Sequence, residues 1–240
     1  MAGDYKPLAN PPLGRNAMLF ANREHAARFL ARRLAAHYKN KNPLVLAIPR
    51  GAVPMAKLIA DSLGGELDVV LVHKLSYPSQ PELAIGAIDE NGNVFVLNYA
   101  LEIEAEYLEA EKKRQLEILR QRRAWYTPTR GSIDPHDRIV IVVDDGIATG
   151  STMTAALQAI RARKPKKLVS AVGVAPWRAA RAMMREADEV VCLKVPRESD
   201  FRAVGQFFED FSQVSDEDVI AILQQHDSKV SSVGSANAMA

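Results

Sequence analysis

Short runs of apolar residues alternate with amphipathic segments along most of this chain. The runs are rich in Val, Ile and Leu, and they lie at residues 44–48, 69–72, 94–97, 139–143, 168–174 and 190–193. Several of them are continuous rather than alternating. Continuous runs are typical of strands that are buried on both faces, as in a parallel sheet.

The segments between these runs show helical periodicity. In residues 22–38, apolar side chains recur at helical spacing after Asn22, which is a candidate N-cap. Three more helices are predicted, at residues 151–163, at residues 177–187, and after a capping box formed by Ser215 and Asp218. Strands that alternate with helices predict an α/β fold with a central, mainly parallel sheet flanked by helices.

Residues 101–126 are long, highly charged and predicted to be helical, at a point where an α/β fold needs only an ordinary crossover. Lys and Arg residues are concentrated in the second half of this segment. A basic face would suit an anion or a nucleic acid. However, acidic residues alternate with the basic ones at helical spacing, and mixed charges usually indicate a solvated face. We therefore favour an inserted helix whose charged side chains face water.

Composition narrows the class of protein. The 240 residues include 31 Lys and Arg against 29 Asp and Glu, a net charge of +2, which excludes a strongly basic nucleic-acid coat. The single cysteine, Cys192, excludes an intrachain disulfide and a cysteine-based zinc site, and its apolar strand predicts an inert core thiol. There is no apolar run of about 18 residues and no secretory signal, so we expect a cytoplasmic protein without a membrane partner.

The two ends of the chain differ from its middle. Residues 1–16 are rich in proline, and residues 228–240 are mostly small or polar, so both are expected to be flexible tails. Residues 17–227 then form one domain, into which the helix at 101–126 is inserted.

In residues 140–152, a buried strand is followed directly by residue types that are common in ligand sites. The strand is predicted to end at Val143, and Asp144 and Asp145 follow it, then a loop with two glycines and the start of a helix. In an open α/β sheet, ligands bind outside the carboxyl ends of the strands. The N–H groups at a helix start attract phosphate, and carboxylates accept hydrogen bonds from sugar hydroxyls. The pattern therefore predicts a site for the phosphate ester of a sugar.

Other phosphate and nucleophile motifs do not match this segment. No lysine follows Gly150, as a P-loop requires, and the patterns G-x-G-x-x-G and G-x-S-x-G are absent. An Asp-Gly turn followed by a Ser/Thr helix cap is the simplest structural alternative. Such a turn does not need two adjacent acids directly after a buried strand.

The segment resembles the binding motif for 5-phosphoribosyl-1-pyrophosphate (PRPP) in type I phosphoribosyltransferases. The resemblance implies that Asp144 and Asp145 hold the 2- and 3-hydroxyls of the ribose and that the following loop holds the 5-phosphate. The loop residues are Gly146, Ile147, Ala148, Thr149, Gly150, Ser151 and Thr152. The similarity covers roughly residues 18–225 and is strongest to a subgroup of uncharacterised predicted phosphoribosyltransferases, which also has the helix at 101–126.

Residues 47–53 end the first sheet strand and open a helix, where the family keeps its pyrophosphate loop. Arg50 would supply charge and Gly51 a close backbone approach, although a surface turn is an alternative reading. The resemblance also implies a non-proline cis peptide here, which we expect at the Arg50–Gly51 or the Gly51–Ala52 bond. Lys74 ends the next strand, where a basic residue of the family approaches the pyrophosphate; a solubilising role is the alternative.

Residues 75–93 contain two prolines and two glycines between two predicted strands. The family has a mobile loop at this position that closes over PRPP. Loops longer than about 12–15 residues are usually lids or disordered segments. We therefore expect residues 75–93 to form a lid.

Residues 194–196 and 201–211 resemble the region near the base site in the 6-oxopurine members of the family, so we expect a small hood-like C-terminal region. Val190 stands where those proteins have an aromatic residue that stacks on the base, and this departure puts a purine acceptor in doubt. The phenylalanines nearby are expected to serve in core or dimer packing: Phe201, Phe207, Phe208 and Phe211.

The resemblance implies an enzyme that moves the 5-phosphoribosyl group of PRPP to a nitrogen nucleophile, possibly a nucleobase, and releases pyrophosphate with the help of Mg²⁺. Asp144, Asp145 and Lys74 are the candidate catalytic residues. No side chain is identified as a metal ligand or as a general base. The family also implies nucleotide salvage and a homodimer.

Two other classes of function stay open. A PRPP-sensing regulator would keep the loop without transferring anything, but the near-neutral charge counts against the nucleic-acid partner that such a protein usually has. A PRPP synthetase or a hydrolase is the other alternative. A synthetase needs an ATP site and a second similar domain, for which 240 residues leave little room.

Overall fold

The structure is a computed structural model that describes residues 19–77, 80–96 and 104–237. Its helices are α1 (Arg23–Tyr38), α2 (Val53–Leu63), α3 (Ala105–Tyr126), α4 (Ser151–Ala162), α5 (Trp177–Glu186) and α6 (Asp216–Asn237). Its strands are β1 (Leu44–Ala47), β2 (Glu66–Val69), β3 (Val72–Tyr77), β4 (Gln80–Asp89), β5 (Val94–Val96), β6 (Ile139–Gly146), β7 (Lys167–Val174) and β8 (Glu189–Lys194). The predicted tail at 1–16 lies outside the described residues.

A parallel sheet of five strands forms the centre of the fold, in the order β2-β1-β6-β7-β8. Successive residues of β1 pack on opposite faces: Val45 joins a core with α1, α2 and α6, and Leu46 joins a core with α4 and α5. Both faces are therefore buried, which explains the continuous apolar runs. The α/β fold with a parallel sheet between helices is confirmed.

The helix starts follow local sequence signals. The N–H of His25 donates to Oδ1 of Asn22 at 2.9 Å, so the predicted N-cap of α1 is confirmed. Ser215 and Asp218 form the predicted capping box, since each backbone N–H donates to the other side chain, at 2.9 and 3.1 Å. Helix α6 then continues to Asn237, so residues 228–237 are helical where a flexible tail was expected.

The loop expected at residues 75–93 is largely strand among the described residues, because β3, β4 and β5 form an antiparallel sheet there, and the lid role stays a prediction. Leu75 pairs with Gly86, but the register shifts so that Ser76 pairs with Ala84 and Tyr77 with Gln80. This shift leaves Pro81 between paired positions, where its missing N–H breaks no ladder bond. The apolar run at 69–72 likewise contains the end of β2 and the start of β3 rather than one strand. Residues 78–79 lie outside the described residues.

Helix α3 is anchored by a buried ion-pair network rather than being solvated on every side. The Arg123 guanidinium donates to Asp68 at 2.7 Å, to Glu90 at 2.6 Å through two nitrogens, and to the carbonyl of Val69 at 2.8 Å. Burial alone would lower the pKa of Arg123, but the hydrogen bonds and charges of Glu90 and Asp68 raise it. Arg123 therefore belongs to the core and not to a basic surface. No helix among the described residues is long and apolar enough to span a membrane.

Residues 201–212, which we call the hood segment, are tied to the chain just before α1. The N–H of Phe20 donates to the carbonyl of Phe207 at 2.9 Å, and the N–H of Glu209 donates to the carbonyl of Phe20 at 2.8 Å. Phe207 and Phe208 are buried in the core that contains α1 and α2, as their predicted packing role requires. The hood segment thus lies beside the carboxyl end of the sheet.

Candidate functional site

The acid pair lies at the carboxyl end of β6, the middle strand of the parallel sheet. Strand β6 continues through Gly146 instead of ending at Val143, so both acids belong to the strand itself, and Asp144 is in register with Val172 of β7. Asp145 is buried and Asp144 is half-buried. Two adjacent acids therefore stand at the edge of the sheet where ligands of open α/β folds bind.

Both acids accept hydrogen bonds within the protein. Oδ1 of Asp144 accepts the backbone N–H of Asp145 at 2.8 Å, and Oδ2 of Asp145 accepts Nε of Arg23 at 2.7 Å. Burial and the charge of Asp145 raise the pKa of Asp144 well above its usual range. Burial also raises the pKa of Asp145, although the hydrogen bond and charge of Arg23 oppose this rise.

Arg23 is a residue that the sequence reasoning missed. It is the first residue of α1 and lies 122 positions before its partner Asp145. One local signal exists: a basic side chain in the first turn of a helix opposes the helix dipole, which favours acids there. An arginine in that place is explained by its tertiary contacts rather than by the stability of the helix.

Glycines allow other chain segments to approach the acid pair. A Cβ atom on Gly51 would overlap Oδ2 of Asp145, one on Gly173 would overlap the backbone carbonyl oxygen of Asp145, and one on Gly146 would overlap Val204 of the hood segment. Gly51 was predicted to bring backbone close to a pyrophosphate. The structure shows an additional contact, in which Gly51 leaves room for the carboxylate of Asp145.

The predicted phosphate loop turns from β6 into α4. Gly150, with a φ of 87°, adopts the left-handed conformation at the N-cap of α4, which glycine accepts without strain. Thr149 and Ser151 are exposed, and their hydroxyl oxygens lie 3.2 Å apart. The side chain of Ile147 turns into the core, and its N–H donates to the carbonyl of Val174 at 2.8 Å. The predicted phosphate-loop residue Ile147 therefore has its one hydrogen-bond donor engaged within the fold. Ala148 is exposed.

A cavity of about 410 Å³ lies between this loop, helix α4 and the sheet of β3 and β4. Lys74 lines it together with the hydroxyl residues Thr149, Ser151 and Thr152. The structure thus brings Lys74 and the phosphate loop to one cavity, as an anion site requires. His73 and Gln158 also line it and were not predicted; His73 precedes Lys74 in β3, and Gln158 lies two turns into α4.

Arg50 lies apart from this cavity in the structure. Its guanidinium pairs with Asp216 at the start of α6, with 3.2 Å between NH1 and Oδ2, and the Tyr126 hydroxyl donates to the same carboxylate. The cis peptide bond of the segment joins Pro49 to Arg50, so the prediction of a cis bond at Arg50–Gly51 or Gly51–Ala52 is wrong by one or two positions. The Arg50–Asp216 pair is partly exposed, and such pairs contribute about 0–1 kcal/mol.

Structural roles account for three further residues: Val190, Asp134 and Cys192. Val190 is buried in β8, within the core that contains α4 and α5. Asp134 accepts the N–H of His136 at 3.1 Å in the loop before β6 and pairs with Arg163 at 3.3 Å. Among the described residues, no three His, Cys, Asp or Glu side chains cluster as a metal site would require. Cys192 is buried, and burial raises the pKa of its thiol to about 12.

Comparisons with known proteins identify relatives of this chain. Residues 16–211 match the sequence profile of the phosphoribosyl transferase domain. Two Mycobacterium tuberculosis proteins, from strains CDC 1551 / Oshkosh and H37Rv, carry the name phosphoribosyl transferase and are 42% identical over 226 residues. The match covers 92% of this chain and 50% of each relative, so the chain spans about half the length of the curated relatives it matches.

A solved structure is similar over nearly its whole length. The crystal structure of TT1426 from Thermus thermophilus is 44% identical in sequence, with a TM-score of 0.79. The match covers 87% of this chain and 99% of that chain. The arrangement of elements described above is therefore shared with a protein whose structure was determined by experiment.

Proposed function

The chain belongs to the phosphoribosyl transferase domain family, and from this premise we propose that it moves the 5-phosphoribosyl group of PRPP to a nitrogen nucleophile and releases pyrophosphate. One observation carries the proposal: two acids end the central strand β6, and the loop after them leads into a cavity that contains hydroxyl groups and Lys74. This arrangement offers carboxylates for the hydroxyls of such a ligand, and hydroxyl groups and a positive charge for its phosphates.

The acid pair is the proposed ribose site. A carboxylate has about four acceptor positions, so Asp144 and Asp145 can accept from the protein and from the ribose together. We assign the 2- and 3-hydroxyls of the ribose to this pair. Hydroxyl donors stabilise the ionised form of a carboxylate, so binding offsets the raised pKa values of the pair. Two carboxylates would also stabilise the positive charge that develops on the sugar when the bond to pyrophosphate stretches.

The start of α4 is the proposed 5-phosphate site. Its first N–H groups and helix dipole attract an anion, and Thr149, Ser151 and Thr152 add hydroxyl donors around the same cavity. No acid lines this cavity among the residues that the structure describes. A phosphate there meets donors without a like charge, whereas the acids meet only the sugar.

Lys74, Arg50 and Gly51 are the proposed pyrophosphate contacts. Lys74 faces the cavity and brings a positive charge, and Gly51 lies against Asp145 and so brings the 47–53 segment next to the ribose site. PRPP would compete with Asp216 for Arg50, which the small energy of an exposed ion pair allows. Positive charge from Lys74, and from Arg50 once it is released from Asp216, would stabilise pyrophosphate as it leaves.

In the proposed reaction, a nitrogen lone pair attacks C1 of the ribose. The bond between C1 and the pyrophosphate oxygen breaks, and its electron pair leaves with pyrophosphate. The protein mainly positions the two reactants, which can account for a large part of the rate. We propose that PRPP enters as its magnesium complex, because the described residues contain no cluster of metal-binding side chains and Mg²⁺ prefers phosphate oxygens and water.

Pyrophosphate release is the experiment that tests this function. The protein is incubated with PRPP and Mg²⁺, alone and with each member of a panel of nucleobases and other nitrogen acceptors. A transferase releases pyrophosphate only with its acceptor, whereas a hydrolase releases it without one. A PRPP-binding regulator binds PRPP in calorimetry but releases nothing. Absence of PRPP binding would overturn the proposal, and Asp144→Asn/Asp145→Asn serves as the inactive control.

A further inference from the structure

Arg23 contacts two parts of the molecule, the acid pair on β6 and the hood segment. Its Nε donates to Oδ2 of Asp145 at 2.7 Å, and its NH1 donates to the carbonyl of Ser212 at 2.6 Å. Its guanidinium carbon also lies 3.7 Å from the centre of the Phe211 ring. Asp145 belongs to the proposed ribose site, and Phe211 and Ser212 belong to the hood segment. One side chain therefore joins the acid pair to the hood segment.

These contacts hold Arg23 in one position. Only 14% of its side chain and 12% of that of Asp145 are exposed, so neither charge is well solvated. The guanidinium is planar and rigid, and it is fixed by a carboxylate, a carbonyl and an aromatic ring in three directions. A carboxylate that accepts from such a donor has its own orientation fixed, which aims its other oxygen.

The hood segment has few other ways to reach the acid pair. Its backbone pairs with Phe20 and Ala21, including the N–H of Asp210, which donates to the carbonyl of Ala21 at 2.9 Å. Val204 fills the space next to Gly146 directly after the acids. Backbone pairing and apolar contact hold the hood segment in place. Of the contacts described, only those of Arg23 link the segment to Asp145 through a charged group.

The contact between Arg23 and Asp145 also balances charge, because other charged groups lie around Asp145. Asp144 precedes Asp145 and repels it, Arg23 faces it from α1, and the 47–53 segment presents the backbone of Gly51. From the hood segment, Asp210 is an exposed acid that also interacts with Arg23. Two acids at the ribose site thus share one close cation.

We propose that Arg23 is a positioning residue of the PRPP site, which fixes the orientation and charge of Asp145 and couples it to the docking of the hood segment. The inference rests on the proposed function, because Asp145 is assigned to PRPP there. Arg23 itself contacts neither the sugar nor the pyrophosphate in this assignment. It acts through Asp145.

The test compares Arg23→Gln and Arg23→Lys with wild type and with Arg28→Gln. Arg28 is the matched control because it lies on the same helix and pairs with Glu24 on the exposed surface. PRPP affinity is measured by calorimetry from pH 5 to pH 9, and kcat and KM are measured with the acceptor. Arg23→Gln is expected to weaken PRPP binding about 10–100-fold at pH 7, the loss typical of a charge-assisted hydrogen bond.

The pH profile separates positioning from stability. Without Arg23, both acids hold their protons to higher pH, so the rise of PRPP affinity with pH should move upward. Arg23→Lys restores a positive charge and should return the profile toward wild type, while KM for PRPP stays raised because an ammonium cannot reproduce the three contacts. Arg28→Gln should match wild type throughout.

The outcomes distinguish a failure of this inference from a failure of the proposed function. If wild type binds PRPP and Arg23→Gln binds it within twofold with the same pH profile, Arg23 is structural and the inference is wrong, whatever happens to the melting temperature. If Arg23→Gln does not fold, Arg23→Lys takes its place: weakened PRPP binding in a folded Arg23→Lys supports the inference, and binding within twofold of wild type overturns it. If wild type itself does not bind PRPP, the proposed function fails first and the inference fails with it.

Discussion

Gly51 and Asp145 are in such close contact that a Cβ atom on Gly51 would overlap Oδ2 of Asp145. Gly51 belongs to the segment after β1, and Asp145 to the end of the neighbouring strand β6. Arg23 borders the same point, with Nε and NH2 each 3.2 Å from that Cβ position. The proposed pyrophosphate contact, Gly51, therefore touches the proposed ribose contact, Asp145. A substitution at either residue should displace the other.

Gly51→Ala should weaken PRPP binding at least tenfold, because the added methyl group displaces the carboxylate of Asp145 and its partner Arg23. Overpacking of this kind also costs about 1–3 kcal/mol of stability. The control is Gly131→Ala, since a Cβ atom on Gly131 has nothing within 4 Å. Calorimetry with PRPP and thermal melts of both variants check the expectation. Unchanged affinity in Gly51→Ala would show that this contact has no part in the site.

Asp144→Asn/Asp145→Asn should abolish PRPP binding and leave the fold intact. Each amide keeps only one acceptor oxygen and presents an NH2 donor in place of the other, and both side chains lose the charge that stabilises the reacting sugar. Asp137→Asn is the control, because Asp137 is exposed and its φ of 53° suits asparagine equally well. Circular dichroism confirms the fold, and calorimetry measures the affinity. A double variant that binds like wild type would remove the acids from the ribose site.

Asp144→Asn alone should stabilise the ligand-free protein at neutral pH by roughly 0.5–2 kcal/mol. Burial and Asp145 raise the pKa of Asp144 in the folded state, so the folded protein binds more protons than the unfolded chain between the two pKa values. Stability of the wild type then falls as pH rises through that interval. The gain from Asp144→Asn should disappear below the unfolded pKa. Melting curves from pH 3 to pH 8 measure it, and a gain that is independent of pH contradicts the assignment.

The fold was predictable because the apolar runs in the sequence coincide with the buried strands of the parallel sheet. Continuous apolar runs identified β1, β6, β7 and β8, and the loop after β6 carried enough chemistry to predict a ligand site. The hairpin of β3 and β4 was missed because Pro78, Pro81 and Gly86 signal a loop locally. A register shift accommodates Pro81, and no local pattern predicts such a shift.

The contacts of the site were less predictable than its position. Arg23 reaches Asp145 across 122 residues of sequence, and the steric reason for Gly51 depends on that same carboxylate. Such pairings are decided by the packing of α1 against the sheet, and hydrophobic periodicity does not specify which polar side chains meet. Arg50 was expected to face a pyrophosphate, whereas its guanidinium pairs with Asp216 of α6 in the structure.

Cys192 should not react with a thiol reagent in the folded protein. Its side chain is buried, and burial raises the pKa of the thiol to about 12, so little thiolate exists at pH 8. Labelling with 5,5′-dithiobis(2-nitrobenzoate) should modify no thiol in the native state and one thiol in 6 M guanidinium chloride. Rapid native labelling would show that the end of β8 opens readily.

Arg123→Met should destabilise the protein by about 3 kcal/mol, a fall in melting temperature of roughly 6–12 °C. The substitution leaves Glu90 without its two donors and removes one of the cations on Asp68, which is fully buried. Arg130 still pairs with Asp68 at 3.1 Å, and this keeps the expected loss at the lower end for a buried ion pair. Arg120→Met is the control, because Arg120 is exposed on the same helix and its replacement should change stability by less than about 0.5 kcal/mol. Equal melting temperatures for the two variants would mean that α3 is held by its apolar contacts alone. A large fall in Arg123→Met would instead show that this charged helix is fixed to the fold through the acids at β2 and β4.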